Sequence, residues 1–281
     1  MAFDSMNRRN FIQLGLAATA GTLFSGCATQ VLKSSTITNP KRGLGITTKP
    51  ASQWREKLQL CGANWFYSWG SMPPENLPAA VQFVPMIWKG KPSDSFAKVG
   101  EQLRKAGCQQ LLGFNEPDQK NQSNMTVEDA LALWPKLMDT GLRLGSPSCV
   151  HPDRDWMKNF MKAVNEQQLR VDFVTVHSYG GLDADAFMKQ MEAVHKMFNR
   201  PLWITEFAVG DWKAKSRAEN QYQPEQIVKF IEQLLPRLDR CDFVERYAWF
   251  PAQPDNHALG PCAMFNEDGS LTSVGQAYRA V

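Results

Sequence analysis

Two glutamates each close an apolar run. Glu116 follows Gln110-Leu111-Leu112-Gly113-Phe114-Asn115, and Glu206 follows Leu202-Trp203-Ile204-Thr205. Such a run reads as a parallel strand buried on both faces. A carboxylate at the C-terminal end of a barrel strand stands where (β/α)₈ enzymes do their chemistry. Two carboxylates facing one cleft are the parts that glycoside hydrolysis needs, one as proton donor and one as nucleophile or base. The division requires one protonated and one ionised carboxyl near neutral pH, so their surroundings must differ. Asn115, just before Glu116, is expected to offer its amide to a sugar 2-hydroxyl. His177 and Tyr179 follow the run Asp172-Phe173-Val174-Thr175-Val176 and are expected to orient Glu206 or touch the sugar. For His177 the competing reading is a hydrogen-bonded core histidine.

Aromatic residues gather at the same strand ends: Trp65, Tyr67, Trp69, Trp88, Trp212 and Trp249. The apolar C–H faces of sugar rings pack on aromatic planes, so an open carbohydrate cleft needs such platforms. Trp65, Trp88 and Trp249 are the three expected to line it.

The elements that must hold these groups alternate along the chain. Strand-like runs fall at 43–46, 62–67, 83–88, 110–114, 142–146, 172–176, 202–206 and 246–250. Helical apolar stripes separate most of them, such as Phe96, Val99, Leu103 and Ala106 behind a serine cap, with Gly107 as the stop. Thr126 and Asp129 read as a capping box, and Pro224 as a helix opener. Between the second and third runs, Met72-Pro73-Pro74-Glu75-Asn76-Leu77-Pro78 is too proline-broken for more than a turn. Eight strand units within ~240 residues predict an α/β fold, a single-domain (β/α)₈ TIM barrel, over a doubly wound sheet. The absence of a Gly-x-Gly-x-x-Gly loop gives no support to a nucleotide cofactor.

Asn7-Arg8-Arg9-Asn10-Phe11-Ile12 precedes an uncharged stretch from Gln13 to Gly26 and then Cys27. Paired arginines before a short apolar region read as a twin-arginine export signal over 1–27. Ser25-Gly26-Cys27 is lipobox-like, which makes Cys27 a lipidation candidate and 28–41 a tether. The catalytic domain is then 42–281, in a bacterial protein that is periplasmic, anchored at the outer membrane or extracellular. The balance of 31 basic and 28 acidic side chains gives a net charge of +3, no reason to expect nucleic acid. Besides Cys27 there are Cys61, Cys108, Cys149, Cys241 and Cys262, an odd number that leaves at least one free thiol. No Cys-x-x-Cys pair and no histidine pair at ligand spacing occur, so neither a metal nor another cofactor is expected.

Asn115-Glu116-Pro117 on strand four with Glu206 on strand seven is similar to the retaining hydrolases of glycoside hydrolase clan A. Gly113-Phe114-Asn115-Glu116-Pro117-Asp118, Val176-His177-Ser178-Tyr179 and Trp203-Ile204-Thr205-Glu206-Phe207 resemble, more narrowly, glycoside hydrolase family 128. The tail from Gly269 to Tyr278 resembles the end of that domain, and the likeness runs from about Arg42 to Ala280. The resemblance implies a compact barrel that cleaves β-1,3-glucan, with Glu116 as acid/base, Glu206 as nucleophile and Asn115 at the catalytic subsite. The expected partner is a β-glucan oligo- or polysaccharide, and the protein is expected to act as a monomer. Two other readings remain open at this point: another clan A activity such as a mannanase or xylanase, and a non-catalytic glucan-binding lipoprotein.

Overall fold

The computed structural model describes residues 39–49, 52–91 and 93–281. The export signal, Cys27 and all but the last residues of the tether lie outside them. Eight strands appear in the expected order: β1 (Arg42–Gly45), β2 (Trp65–Tyr67), β3 (Gln82–Phe83), β4 (Gln110–Leu111), β5 (Arg143–Leu144), β6 (Val174–Gly180), β7 (Leu202–Val209) and β8 (Val244–Trp249). Six of them form one parallel sheet in the order β3-β2-β1-β8-β7-β6, and β4 pairs with β5. Single parallel bridges complete the ring. Met86 with Leu112 joins β3 to β4, and Gly145 with Phe173 joins β5 to β6. The result is a closed eight-stranded barrel.

Among the described residues seven α-helices surround it: α1 (Trp54–Cys61), α2 (Ala97–Lys105), α3 (Val127–Met138), α4 (Asp155–Glu166), α5 (Ala184–Phe198), α6 (Pro224–Arg240) and α7 (Ser273–Ala280). Among the described residues no helix lies between β2 and β3, where the prolines cluster. None is long and apolar enough to cross a membrane. Thr126 caps α3 by accepting the Asp129 N–H at 3.1 Å, and Gly107, at φ +80°, ends the turn after α2. The expected serine cap of α2 is not formed, since Phe96 occupies the cap position without a side-chain bond.

Side chains divide by the two faces of each strand. Trp65, Tyr67, Val84, Met86, Leu112, Phe173, Trp203 and Ala248 fill the barrel interior. Their neighbours in sequence, such as Phe66, Ile204 and Trp249, point outward into the layer under the helices. At β7 this alternation is broken on purpose. Val176 of β6 pairs with Ile204, but His177 pairs with Glu206, so Thr205 is an extra, bulged residue. Strict alternation would turn Glu206 outward with Ile204. The bulge brings it to the face shared by His177.

Candidate active site

Glu206 lies at the top of the interior, 5% exposed, where three neutral donors converge on its carboxylate. The Tyr67 hydroxyl donates to Oε1 at 2.7 Å and the Trp69 indole N–H donates to the same oxygen at 2.9 Å. The Tyr179 hydroxyl donates to Oε2. Burial, followed by the charge of Glu206, pushes both phenols well above the usual tyrosine value, so each remains an O–H donor. These contacts fix the carboxylate plane and balance its charge without any cation of their own.

Glu116 reaches the same place from the far side of the barrel. Its backbone leaves β4 through a parallel bridge between Asn115 and Ser148, with the Glu116 N–H donating to the Ser148 carbonyl at 2.8 Å. Gly113 permits this approach, because a Cβ there would sit 2.8 Å from the Ser146 carbonyl oxygen. Glu116 itself adopts φ +41°, a left-handed conformation that costs a non-glycine residue on the order of 1–3 kcal/mol. The loop that follows is tied down by Asp118, whose carboxylate accepts the N–H groups of Val150 and His151, each at 3.2 Å. Strain at a buried carboxylate, held by its neighbours, marks a position kept for what the side chain does.

His177 joins the two acids. Its Nδ1 lies 2.8 Å from Glu116 Oε1 and its Nε2 3.5 Å from Glu206 Oε1. Burial alone would lower the imidazole pKa, but the Glu206 charge and the hydrogen bond to Glu116 outweigh it and hold it above the usual value. His177 therefore belongs to the site and is not a core histidine. One oxygen of each glutamate and one nitrogen of His177 all lie within 4.8 Å of one another. Such a trio has ligand types suited to a divalent metal. Here, however, both Glu206 oxygens are held by O–H and indole N–H groups and one Glu116 oxygen by the imidazole, an arrangement that suits an acid pair better than a cation.

The pair opens into a cleft of about 920 Å³. Trp88, Trp69, Trp212 and Phe250 supply its aromatic walls. Gln122 and His151 lie on the Glu116 side, and Trp212 is 63% exposed at the rim. Asn115, 4% exposed, lines the cleft with its amide N–H₂ on Gln122 Oε1 at 3.2 Å and its carbonyl oxygen unpartnered. Trp88 is thus where the sequence suggests. Trp65 and Trp249 are not. Trp65 stands in the interior one layer below Tyr67, and its indole N–H donates to the Lys41 carbonyl at 2.9 Å. Trp249 points outward beneath α7, packed on Phe207 and Tyr278, with its N–H on the Cys262 carbonyl at 3.0 Å. Trp69 and Phe250 take the expected places. Both sit just past a strand end, the positional signal that already grouped Trp69 with the strand-end aromatics and that could have found Phe250. The five described cysteines are all unpaired.

The chain matches the glycosyl hydrolase catalytic core model over residues 43–278. No curated protein sequence matches it. Among solved structures, an endo-β-1,3-glucanase of family 128 subgroup I from Amycolatopsis mediterranei, in complex with laminaritriose, is 33% identical. That match covers 86% of this chain and 99% of the other at a TM-score of 0.72. A curdlan-specific exo-β-1,3-glucanase of subgroup III from Blastomyces gilchristii is 30% identical over 86% of this chain and 98% of the other, with a TM-score of 0.67. A subgroup VII oligosaccharide-binding protein from Trichoderma gamsii is 25% identical over 85% and 92%, with a TM-score of 0.64. The barrel, the paired glutamates on its fourth and seventh strands and this end-to-end similarity agree, and the chain belongs to glycoside hydrolase family 128.

Proposed function

We propose that the protein is an endo-acting β-1,3-glucanase that retains anomeric configuration, with Glu116 as acid/base and Glu206 as nucleophile. The observation that carries the reading is the closeness of the two carboxylates, within 4.8 Å and linked by His177. Retaining pairs lie ~5–5.5 Å apart, whereas inverting pairs leave ~6.5–9.5 Å for a water. In the first step a Glu206 oxygen bonds to the anomeric carbon while the glycosidic C–O bond breaks. The departing oxygen takes the proton of Glu116. In the second step Glu116 takes a proton from water, the water oxygen bonds to the same carbon, and the ester to Glu206 breaks. The asymmetry of the site fits these roles. Glu206 is held by Tyr67, Trp69 and Tyr179, as a nucleophile must be aimed, while Glu116 has His177 as its side-chain partner. Through that 2.8 Å contact a proton on either group keeps the other in place.

The substrate and the endo mode are supported by relatives, since the Amycolatopsis endo-enzyme is more similar in sequence and structure than the exo-acting one. Laminarin, xylan and mannan decide the matter. Reducing ends should rise on laminarin alone, with oligosaccharides of several lengths from the first minutes. Glucose as the sole early product would show exo action, and release from xylan or mannan alone would overturn the glucan assignment. Binding without hydrolysis would leave an oligosaccharide-binding protein.

The same proposal places the enzyme outside the cytoplasm as a monomer, exported by the paired arginines and tethered through a lipid on Cys27. A single acyl chain gives only marginal membrane binding, so the diacylglycerol-bearing cysteine of a lipoprotein is needed for stable attachment. The wild type should partition into detergent and Cys27→Ala into the soluble fraction. Equal solubility of both would remove the anchor.

A further inference from the structure

The backbone ladder that joins the β4 and β5 segments stops at the acid/base residue. Below that point the Gly145 N–H donates to the Leu111 carbonyl and the Ser148 N–H to the Phe114 carbonyl, each at 2.9 Å. The Glu116 N–H makes the last such bond, to the Ser148 carbonyl at 2.8 Å. Pro117 has no N–H to continue the series, and Glu116 turns the chain through its left-handed conformation. The next carbonyls are then spent inside the loop. Those of Asn115, Glu116 and Pro117 accept the N–H groups of Ser123, Gln119 and Met125 at 3.2, 3.0 and 3.2 Å. None of the three is left for Val150 and His151, which follow Ser148 and Cys149 on the β5 side. Their N–H groups go instead to the side chain of Asp118, one to each carboxylate oxygen.

A carboxylate suits this place, because its two oxygens can accept two successive N–H groups with charge-assisted strength. A positive φ at a residue other than glycine persists only where the surroundings over-determine it. Asp118 stands two residues past Glu116, half-buried, and is not one of the residues that line the cleft. We propose that Asp118 is a positioning residue for proton transfer. By clamping the loop after β4 to the segment after β5, it holds Glu116 in the left-handed conformation from which its carboxyl meets the glycosidic oxygen. Asp118 thus acts through Glu116 and leaves Glu206, on β7, to its own partners Tyr67, Trp69 and Tyr179. The inference rests on the glucanase reading above, with Glu116 as acid/base.

Laminarin and 2,4-dinitrophenyl β-laminaribioside, compared on Asp118→Ala, give the test. The leaving oxygen of laminarin needs a proton, whereas dinitrophenolate departs without one. With laminarin kcat should fall about hundredfold, the loss expected when a catalytic group is displaced by about 1 Å. With the aryl glycoside the pre-steady-state burst of dinitrophenolate should keep its rate within about twofold, since that step uses Glu206 alone. The steady state after the burst should be slow, and azide, which needs no base, should raise it. A role in general folding alone would slow the burst and laminarin turnover by the same factor, and that result would overturn the proposal. Laminarin turnover near that of the wild type would overturn it equally. If Asp118→Ala does not fold, Asp118→Asn carries the same comparison, because it keeps the size and one acceptor oxygen and turns an N–H₂ toward the second N–H. A wild type inactive on laminarin is a separate result, which would remove the glucanase reading and this proposal with it.

Discussion

Replacing either glutamate by alanine should lower hydrolysis of laminarin by at least a thousandfold, and azide should rescue the two variants with opposite stereochemistry. Glu116→Ala keeps the nucleophile. An activated aryl β-glycoside, whose leaving group needs no proton, should still form the ester with Glu206. The ester should accumulate because no base activates water, and azide, which needs no deprotonation, should displace it to give the β-glycosyl azide. Glu206→Ala lacks the nucleophile but leaves a gap beneath the anomeric carbon. Azide filling that gap attacks once, so the product should be the α-glycosyl azide. Nuclear magnetic resonance distinguishes the two anomers directly. An α product from the Glu116 variant with a β product from the Glu206 variant would show the roles to be reversed. The separation within 4.8 Å through His177 is what makes the two-step route available.

Trp249→Ala should damage the fold and spare the chemistry, contrary to what the position of this tryptophan after a strand suggests. Its side chain is fully buried, stacks edge to face on Phe207 at 5.0 Å and donates to the Cys262 carbonyl at 3.0 Å. Truncation leaves a cavity and an unpaired carbonyl, a loss of about 3–5 kcal/mol. For a domain of this size the melting temperature should fall by roughly 10 °C. At low temperature the folded fraction should keep its kcat/KM. Trp88→Ala should do the reverse, raising KM on laminarin with little change in melting temperature, because Trp88 is half-buried and lines the cleft. A wild-type melting temperature for Trp249→Ala together with lost sugar affinity would return Trp249 to the cleft.

The contrast between these tryptophans arises because a sequence reveals where a strand lies better than which way each of its side chains faces. The runs that became β4, β6 and β7 are apolar because both of their faces are covered, one by the barrel interior and one by the helices. Apolarity of that kind shows that a strand is present and hides which face each residue takes. Trp249 and Ala248 have interchangeable-looking places in the sequence, yet Ala248 faces the interior and Trp249 the helices. Trp65 faces inward as expected but stands one layer too low to reach sugar. Trp69 reaches Glu206 from a left-handed backbone position, φ +59°, just past β2, which no propensity indicates.

By itself the sequence determined the number and order of the strands, the barrel they close into and the two glutamates. Apolar runs, proline breaks and carboxylates at run ends are local features, and each follows from residues adjacent in the chain. It also carried the family likeness, written in those same short stretches. Only the tertiary structure decided that His177 bridges the acids, that Tyr67, Trp69 and Tyr179 converge on one carboxylate, and that Glu206 faces inward at all. The last of these depends on a single bulged residue, Thr205. A side chain's face is set by its pairing with a neighbouring strand, and that register arises only when distant segments meet.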